Sequence, residues 1–187
     1  MDNINDIVNI CNANNMILKK NKLTKQYDLN FTIYNPNYNL KNIININLYK
    51  LVESLNTEYI EQIKVINIIN PLNEIDVLIF IKPIFKDYNF LKYYLCIKII
   101  LSEENGCIYF KNTDIPYDEN KIQDYTRISN NTTETHIIIH SDNLLTINHT
   151  FEVNLFDIFP SVMQNIIAKM VKAVFYKVKI FCEKINN

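Results

Sequence analysis

The three histidines are the residues whose spacing first suggests chemistry. His136 and His140 stand four positions apart, so on a helix their imidazoles would share one face and could ligate one metal ion. The residues from Thr135 to His140 instead show the pattern of a strand, in which four residues span ~13 Å. Two imidazoles that far apart cannot bind the same ion, and His149 could approach either of them only through sheet pairing. We therefore expect no metal site.

Candidate acids and bases are paired in two places, Glu103 with Glu104 and Asp118 with Glu119. Both pairs stand in predicted turns among hydrophilic neighbours, whereas general acid–base catalysis requires carboxyl groups in perturbing surroundings. The chain has a single glycine, Gly106, so it contains no glycine-rich phosphate-binding loop, and it has no G-x-S-x-G sequence. We predict that the protein is not an enzyme and uses no cofactor.

Arg127 is the only arginine of the chain, and it lies in a predicted strand. Its planar guanidinium would bind a phosphate or a carboxylate through two parallel hydrogen bonds if the side chain were buried. The alternative is an arginine on the protein surface without a ligand. The residue pattern by itself leaves both interpretations open.

The composition describes a globular protein without a dominant charge. Hydrophobic residues make up 48% of the chain and charged residues 21%, and the formal net charge is −1. A nucleic-acid-binding protein usually carries a basic stripe, so we expect no nucleic-acid partner. The first residues lack a signal-peptide pattern, and no apolar run approaches the ~20 residues of a membrane span. We expect a cytoplasmic location with four reduced cysteines: Cys11, Cys96, Cys107 and Cys182.

The segment from Asp157 to Asn187 predicts one long helix, because after Pro160 in its first turn it contains no further proline and no glycine. At 100° per residue, a narrow polar strip forms from Asn165, Lys169, Lys172, Lys179 and Glu183. The opposite side is a wide apolar arc of Met163, Ile167, Met170, Val171, Val174, Phe175, Val178, Phe181, Cys182 and Ile185. Such an arc requires a broad partner such as a curved sheet. It fits an ordinary core helix and equally a helix that lines a hydrophobic cavity.

The lysines of this helix have two interpretations. A solvated face is the one that we predict, since charged residues on one side of a helix usually face water. The alternative is contact with anionic lipid headgroups, which attract clustered lysines.

The remaining pattern predicts a meander of antiparallel strands within a single domain, residues 1–187. A short helix is expected between about Asn3 and Lys20, where apolar residues recur at helical spacing, and another over Leu48 to Leu55. Strands are predicted over Tyr27 to Tyr34, Ile60 to Ile69, Glu74 to Ile81, Tyr93 to Leu101, Cys107 to Lys111, Tyr125 to Ser129, Thr135 to His140 and Thr146 to Phe156. The strand from Tyr93 is apolar on both faces, which is typical of the middle of a sheet. Gly106 suits a hairpin turn after that strand.

The region from Tyr125 to Lys169 carries an aromatic-x-Arg strand at Tyr125 to Ile128, a second strand at Thr135 to His140, a third at Thr146 to Phe156, and then Phe159, Pro160 and Ser161 before a helix that begins with an apolar pair and Asn165. This arrangement resembles the closing segment of START domains. Upstream, the order of elements also agrees: a strand, a short helix, an antiparallel meander and a final helix.

This resemblance implies an α+β helix-grip fold, in which a curved antiparallel sheet wraps on the long C-terminal helix and encloses a cavity. The cavity would hold a lipid or other hydrophobic ligand, and the helix would act as a lid that opens during transient contact with a membrane surface. The implied ligand-binding residues are Met163, Ile167, Met170, Val174 and Val178 on the helix, with Arg127 on a cavity-wall strand. The predicted function is binding of such a ligand and its transfer between membranes.

Two alternatives remain open. An interaction or assembly protein without enzymatic activity would have a filled core in place of the cavity. A small enzyme built on the same fold would need an inward-facing histidine or carboxylate, for which His136 and Glu134 are the candidates.

Overall fold

The computed structural model describes residues 6–83, 92–118, 121–128, 132–152 and 161–186, and the side chains of the final helix from residue 164 onward. Within these ranges the strands are β1 (Ile7–Ala13), β2 (Met16–Asn21), β3 (Gln26–Tyr34), β4 (Ile60–Asn70), β5 (Glu74–Ile81), β6 (Lys92–Glu104), β7 (Cys107–Asp114), β8 (Tyr125–Ile128), β9 (Thr132–Ser141) and β10 (Leu144–Glu152). The helices are α1 (Leu48–Leu55) and α2 (Ser161–Lys184), and a short 3₁₀ helix spans Leu40–Ile43.

The strands form one curved sheet in the order β1-β2-β3-β10-β9-β7-β6-β5-β4, with β8 paired to β6 outside this path. Neighbours along the path pair antiparallel, and β3 pairs with β10 over the full length of both strands. α2 lies against the inner face of this sheet, where the ring of Phe175 packs edge-on to that of Phe31 at 6.0 Å. The structure confirms the α+β helix-grip fold that the sequence predicted.

The inner face of the sheet is built by strict alternation along β3 and β10. In β3, Tyr27, Leu29, Phe31 and Ile33 are buried, whereas the residues between them are exposed. Successive side chains of a strand point to opposite faces, so this pattern places one apolar face toward α2 and one polar face toward water.

β6 is apolar on both faces, as its sequence predicted, because a second cluster covers the outer side of the sheet. Leu78, Tyr94 and Cys96 form the buried part of this cluster. The segment that follows β7 packs over them with Ile115, Tyr117 and Ile122, and Tyr125 of β8 joins it. The inner residues of β6 face α2, so both faces of this strand are largely covered between Tyr93 and Ile99, whereas Ser102, Glu103 and Glu104 at its end are exposed.

The pairing of β8 departs from the predicted antiparallel meander, since β8 runs parallel to β6, with Lys92 opposite Tyr125 and Leu95 opposite Ile128. β7 leaves the edge of β6 at Ile97, opposite Asp114. Ile115, Tyr117 and Ile122, which lie between β7 and β8, pack on the outer face, and β8 occupies the remaining part of the same edge in the opposite direction to β7. The strand pattern of the sequence carries no information on this reversal.

The helix predicted between Asn3 and Lys20 is wrong over its described residues, which form the hairpin β1–β2. Asn14 and Asn15 adopt positive φ angles of 59° and 56°, and Ala13 pairs with Met16 across them. Two consecutive positive φ angles define the tight turn that matches the twist of antiparallel strands, and asparagine tolerates this conformation. Pairing of β2 with β3 then buries Met16 and Leu18 completely.

Other predicted elements are confirmed at or near their bounds. α1 and β5 have the predicted ends, and the hairpin after β6 turns at Asn105 and Gly106, whose φ angles are 51° and 76°. The predicted last strand and final helix extend over residues 153–160, which lie outside the described residues, as does residue 187. None of the helices in the described ranges is long and apolar enough to cross a membrane.

Candidate functional site

α2 covers unfilled space between itself and the sheet. The first cavity, of about 250 Å³, lies beneath the N-terminal half of the helix. Its described lining comprises Tyr59, Ile60, Ile79, Ile81, Leu95, Ile128, Thr133, His149, Phe151, Glu152, Ile167, Met170, Val171 and Val174. Apolar side chains from β4, β5, β6, β10 and α2 thus form nearly all of its wall.

A second cavity, of about 330 Å³, lies farther along the helix. Its described lining comprises Ile46, Leu48, Tyr49, Val52, Ile63, Ile79, Leu95, Ile97, Ile99, Phe110, Asn112, Thr133, Thr135, Ile137, Ile147, His149, Val171, Val174, Phe175 and Val178. Several of these residues, among them His149, Val171 and Val174, also line the first cavity, so the two spaces adjoin. Each volume is at or near the lower end of the range typical of small-molecule sites.

The structure brings together most of the α2 residues that the resemblance implied. Ile167 and Met170 line the first cavity, Val178 lines the second, and Val174 lines both. The side chain of Met163 lies outside the described residues. α2 therefore turns its predicted apolar arc toward the open space, although binding of a ligand by these residues stays a prediction.

Arg127 lies apart from both cavities. Its Nη2 donates hydrogen bonds to Asp114 Oδ2 at 3.2 Å and to the carbonyl oxygen of Ile115 at 2.5 Å. The next residue, Ile128, is the one whose side chain lines the first cavity, and adjacent residues of a strand face opposite sides of the sheet. The guanidinium thus forms an ion pair at the outer face, with the side chains of Arg127 and Asp114 only 15% and 19% exposed.

Four polar residues face the second cavity from neighbouring strands, and we call them the interior polar row: Asn112, Thr133, Thr135 and His149. Asn112 Nδ2 donates to Thr133 Oγ1 at 2.8 Å, between β7 and β9. Thr135 Oγ1 and His149 Nδ1 share a hydrogen bond of 2.8 Å, between β9 and β10. Sheet register places these pairs side by side, with Thr135 directly opposite His149.

His149 is the titratable group at the centre of the site. Burial lowers its pKa from 6.5 to about 3, because the charged imidazolium would lose its hydration. The imidazole packs at 4.4 Å from the ring of Phe175 on α2 and at 5.2 Å from that of Phe151. His149 is therefore neutral near pH 7.

Sequence reasoning selected a different histidine for the cavity. His136 and Glu134 flank the inward-facing Thr135 on β9, so they point to the other side of the sheet, where His136 stacks on Tyr109 at 4.5 Å. These two candidates for an enzymatic group are consequently misplaced. The strand alternation from Thr135 to His140 was visible in the sequence, but the pairing of Thr135 with His149 depends on register.

One flank of α2 is held to the N-terminal strands by polar contacts, and we call it the polar flank. Its hydrogen bonds join Gln164 Oε1 to Lys20 Nζ (3.1 Å), Asn165 Oδ1 to the Tyr27 hydroxyl (2.8 Å), Lys172 Nζ to Ala13 O (2.9 Å), Lys179 Nζ to Thr32 O (2.8 Å), and the carbonyls of Cys182 (2.8 Å) and Ile185 (2.7 Å) to Asn35 Nδ2. These contacts extend along the whole described helix.

The polar flank corrects the prediction of a solvated lysine face. Lys172 and Lys179 are only 7% and 5% exposed. Their aliphatic stems are buried, and the ammonium groups donate to main-chain carbonyls, which compensates for the water they lose. Lys179 also pairs with Glu183. Lys169 and Lys184 are the exposed lysines of this helix, and Lys177 forms an ion pair with Glu58.

In the part of the chain that the structure describes, no three histidine, cysteine, aspartate or glutamate side chains stand close enough to hold a metal ion. Glu152 is the charged residue in the described lining of the first cavity, where it accepts a hydrogen bond from Gln26 Nε2 at 3.2 Å. The site is thus an apolar space with a few paired polar groups, which suits the binding of an apolar molecule.

The architecture is that of START domains. The lipid transfer and protein localization domain of human StarD13 (DLC2) superposes with a TM-score of 0.72 at 10% sequence identity, over 96% of this chain and 90% of that chain. A fragment of the STAR-related lipid transfer protein from Xanthomonas axonopodis gives a TM-score of 0.69 at 4% identity, over 96% and 99%. Human StAR-related lipid transfer protein 5 gives 0.67 at 9% identity, over 98% and 87%.

No protein-family model matches the chain, and no curated protein sequence matches it. At identities of 4–10%, the similarity to these solved structures shows the fold alone. A functional conclusion therefore depends on the chain's own residues.

Proposed function

We propose that this chain binds a lipid or other hydrophobic ligand in the two adjoining cavities beneath α2 and transfers it between membranes. The observation that carries the proposal is unfilled space with an almost wholly apolar wall, of about 250 and 330 Å³. Each CH₂ group that a ligand moves from water into such space contributes ~0.8 kcal/mol to binding. The lipid transfer proteins that share this fold give the proposal further support.

The polar content of the site favours a carrier over an enzyme. His149 is held neutral by burial and is hydrogen-bonded to Thr135, and Glu152 is hydrogen-bonded to Gln26. Catalysis requires an acid or base near the reacting atoms with a pKa close to the working pH, and the pKa of His149 lies far below it. We therefore propose a binding protein without catalytic activity.

The contacts of α2 also indicate how a ligand reaches the cavities. Moving the polar flank away from β1 and β3 would break the hydrogen bonds of Lys172 with Ala13 and of Lys179 with Thr32. On the opposite side, apolar side chains that include Tyr59 and Ile60 surround the first cavity. The ion pair of Lys177 with Glu58 on that side is solvent-exposed and contributes little to stability. We propose that the site opens on this apolar side, with the polar flank as a fixed edge. The exposed Lys169 and Lys184 would contact anionic headgroups.

The proposal is tested by filling the space. Val174 lines both cavities, so Val174→Phe should place a ring where the ligand would lie. We expect native mass spectrometry of the wild-type protein, purified from cells, to show co-purified lipid, and the variant to retain less than about a tenth of it, since a lost hydrophobic contact of ~1.4 kcal/mol is tenfold in affinity.

Ile166→Phe is the matched control, because it places the same phenylalanine ring on the exposed side of the same helix. Its lipid content should equal that of the wild type. Lipid-free wild-type protein that also extracts no lipid from vesicles would contradict the proposal and would favour the alternative of an interaction or assembly protein.

A further inference from the structure

A group of apolar side chains is exposed at the hairpin between β4 and β5, and we call it the apolar tip: Ile68, Ile69 and Leu72. They are 61%, 46% and 77% exposed, and they make up three of the seven exposed large apolar side chains in the described part of the chain. The run from residue 65 to residue 73 contains no charged residue. Exposed apolar side chains are normally scattered singly, so three within five residues indicate a contact surface.

The turn that carries the apolar tip provides partners for its own backbone N–H groups. Pro71 has no N–H group, the Leu72 N–H donates to Asn70 Oδ1 at 3.0 Å, and the Asn73 N–H donates to the carbonyl oxygen of Asn70 at 3.1 Å. A backbone N–H group that leaves water without another partner is strongly unfavourable in apolar surroundings. This turn can therefore leave water with these donors paired.

The size of the apolar tip fits a lipid surface better than a protein partner. A stable protein interface uses about 20–30 residues on each side and requires a partner of matching shape. The tip is a turn of a few residues that offers three apolar side chains. A fluid lipid layer needs no matching shape, and it takes up apolar side chains at the boundary between headgroups and acyl chains.

Charges beside the apolar tip indicate the kind of lipid surface. β6 passes next to the tip, where the Leu101 N–H donates to the carbonyl oxygen of Asn73 at 2.8 Å. Two and three residues farther along β6 are the exposed residues Glu103 and Glu104. Anionic headgroups repel carboxylates, so the tip suits a surface without net charge.

We propose that the apolar tip inserts into a lipid surface of zero net charge, such as phosphatidylcholine, as a membrane contact separate from the opening of the cavities. β4 has 11 residues between Ile60, which lines the first cavity, and Asn70. At ~3.3 Å per residue, the tip lies roughly 30 Å along the strand from that lining. The inference goes beyond the proposed function, because insertion of the tip requires no ligand in the cavities.

The two membrane contacts would differ in the charge that they prefer. Lys169 and Lys184 of α2 are proposed to meet anionic headgroups, whereas the apolar tip would meet neutral ones. A single chain could thus contact two lipid surfaces of different composition through two separate parts of its surface.

A fluorescent reporter tests the insertion directly. The chain contains no tryptophan, so Leu72→Trp introduces a single one at the tip. With phosphatidylcholine vesicles we expect its emission to shift to shorter wavelength, and bromine atoms on the acyl chains should quench it. Replacing part of the phosphatidylcholine by phosphatidylserine should weaken both effects. The control is Tyr34→Trp, since Tyr34 is 57% exposed on the polar face of β3; its emission should not change.

Co-sedimentation with phosphatidylcholine vesicles tests the native side chain without a reporter. Leu72→Asp should weaken binding about tenfold, since burial of one leucine side chain contributes at least that factor to affinity. Leu23→Asp is the matched control, because Leu23 is 71% exposed in the turn between β2 and β3, outside the apolar tip. This variant should bind as the wild type does.

Three results would overturn the proposal. The first is a wild-type chain that does not bind phosphatidylcholine vesicles, or binds them no better than Leu72→Asp. The second is a Leu72→Trp emission that responds only to anionic vesicles. The third is a shift that grows with protein concentration in the absence of vesicles, which would assign the tip to contact between copies of the chain. Each of these can occur in a protein that carries co-purified lipid, so failure of the tip is distinct from failure of the proposed function.

Discussion

The two sides of α2 contrast sharply although they belong to one helix. The polar flank is fastened to β1, β2 and β3 by hydrogen bonds at Gln164, Asn165, Lys172 and Lys179. The side that carries Met170 and Val174 faces unfilled space. Directional contacts fix the position of one edge, whereas apolar contacts are non-directional and leave the covered volume adjustable. The comparison teaches that a helix can be anchored and still enclose a cavity.

The largest effect on this difference between the two sides is expected when the hydrogen bonds of Asn35 at the C-terminal end of α2 are removed. Asn35 is 1% exposed, and its Nδ2 donates to the carbonyls of Cys182 and Ile185, which the helix itself cannot satisfy. We expect Asn35→Ala to lower the free energy of unfolding by ~2–4 kcal/mol, because it leaves buried carbonyls without donors. Urea denaturation monitored by circular dichroism measures this change.

The matched control for the anchor is Asn37→Ala, an exposed position two residues later. Its effect should stay within ~0.5 kcal/mol, as for most surface substitutions. Equal losses for the two variants would show that the hydrogen bonds of Asn35 do not anchor the helix.

The other side of α2 should respond to acid. The pKa of His149 is about 3 in the folded chain against an ordinary value of 6.5. Between these values the unfolded chain binds the extra proton, so the contribution of His149 to stability is present above pH ~6.5 and is lost as the pH falls toward ~3. We expect a loss of ~2 kcal/mol between pH 7 and pH 5 from this residue.

Unfolding free energies of the wild type and of His149→Gln, measured from pH 7 to pH 5, isolate this contribution. The pH dependence of the variant should be smaller by the stated amount, because glutamine does not titrate. Parallel curves for the two proteins would mean that His149 already gains a compensating negative charge or water in the folded state.

A smaller effect compares two lysines of the same helix. Lys179 is 5% exposed and donates to Thr32 O, whereas Lys169 is exposed. We expect Lys179→Met to destabilise the fold by ~1–2 kcal/mol, since the carbonyl and the carboxylate of Glu183 lose a partner, and Lys169→Met to change it by less than ~0.5 kcal/mol. Thermal denaturation compares the two variants. Similar midpoints would show that the buried contacts of Lys179 do not stabilise the fold.

Local pattern was a good guide wherever one element decides its own structure. The bounds of α1 and β5 and the turn at Gly106 could all be predicted, because helical and alternating periodicities and turn residues act over a few positions. The apolar arc of α2 likewise named Ile167, Met170, Val174 and Val178 before their surroundings were known.

The errors share one physical origin, which is pairing between distant segments. Helical spacing near the N-terminus predicted a helix, but these residues form a hairpin. Its second strand, β2, buries Met16 and Leu18 by pairing with β3, a contact that a helix could not make. The sequence pattern assigned Lys172 to a solvated helix face, whereas its ammonium group donates a hydrogen bond to the carbonyl oxygen of Ala13 in β1. The resemblance placed Arg127 on a cavity-wall strand without fixing the direction of its side chain, and the ion pair with Asp114 holds the guanidinium at the outer face.

By itself, the amino-acid sequence determined that the chain forms a long amphipathic C-terminal helix, a set of alternating strands and a predominantly apolar interior, because these follow from periodicity and hydrophobicity. Only the tertiary structure decided that Thr135 meets His149, that Asn112 faces the second cavity, and that β8 runs parallel to β6. Register and closure depend on the whole sheet, and a shift of one residue would have turned each of these polar side chains to the opposite face.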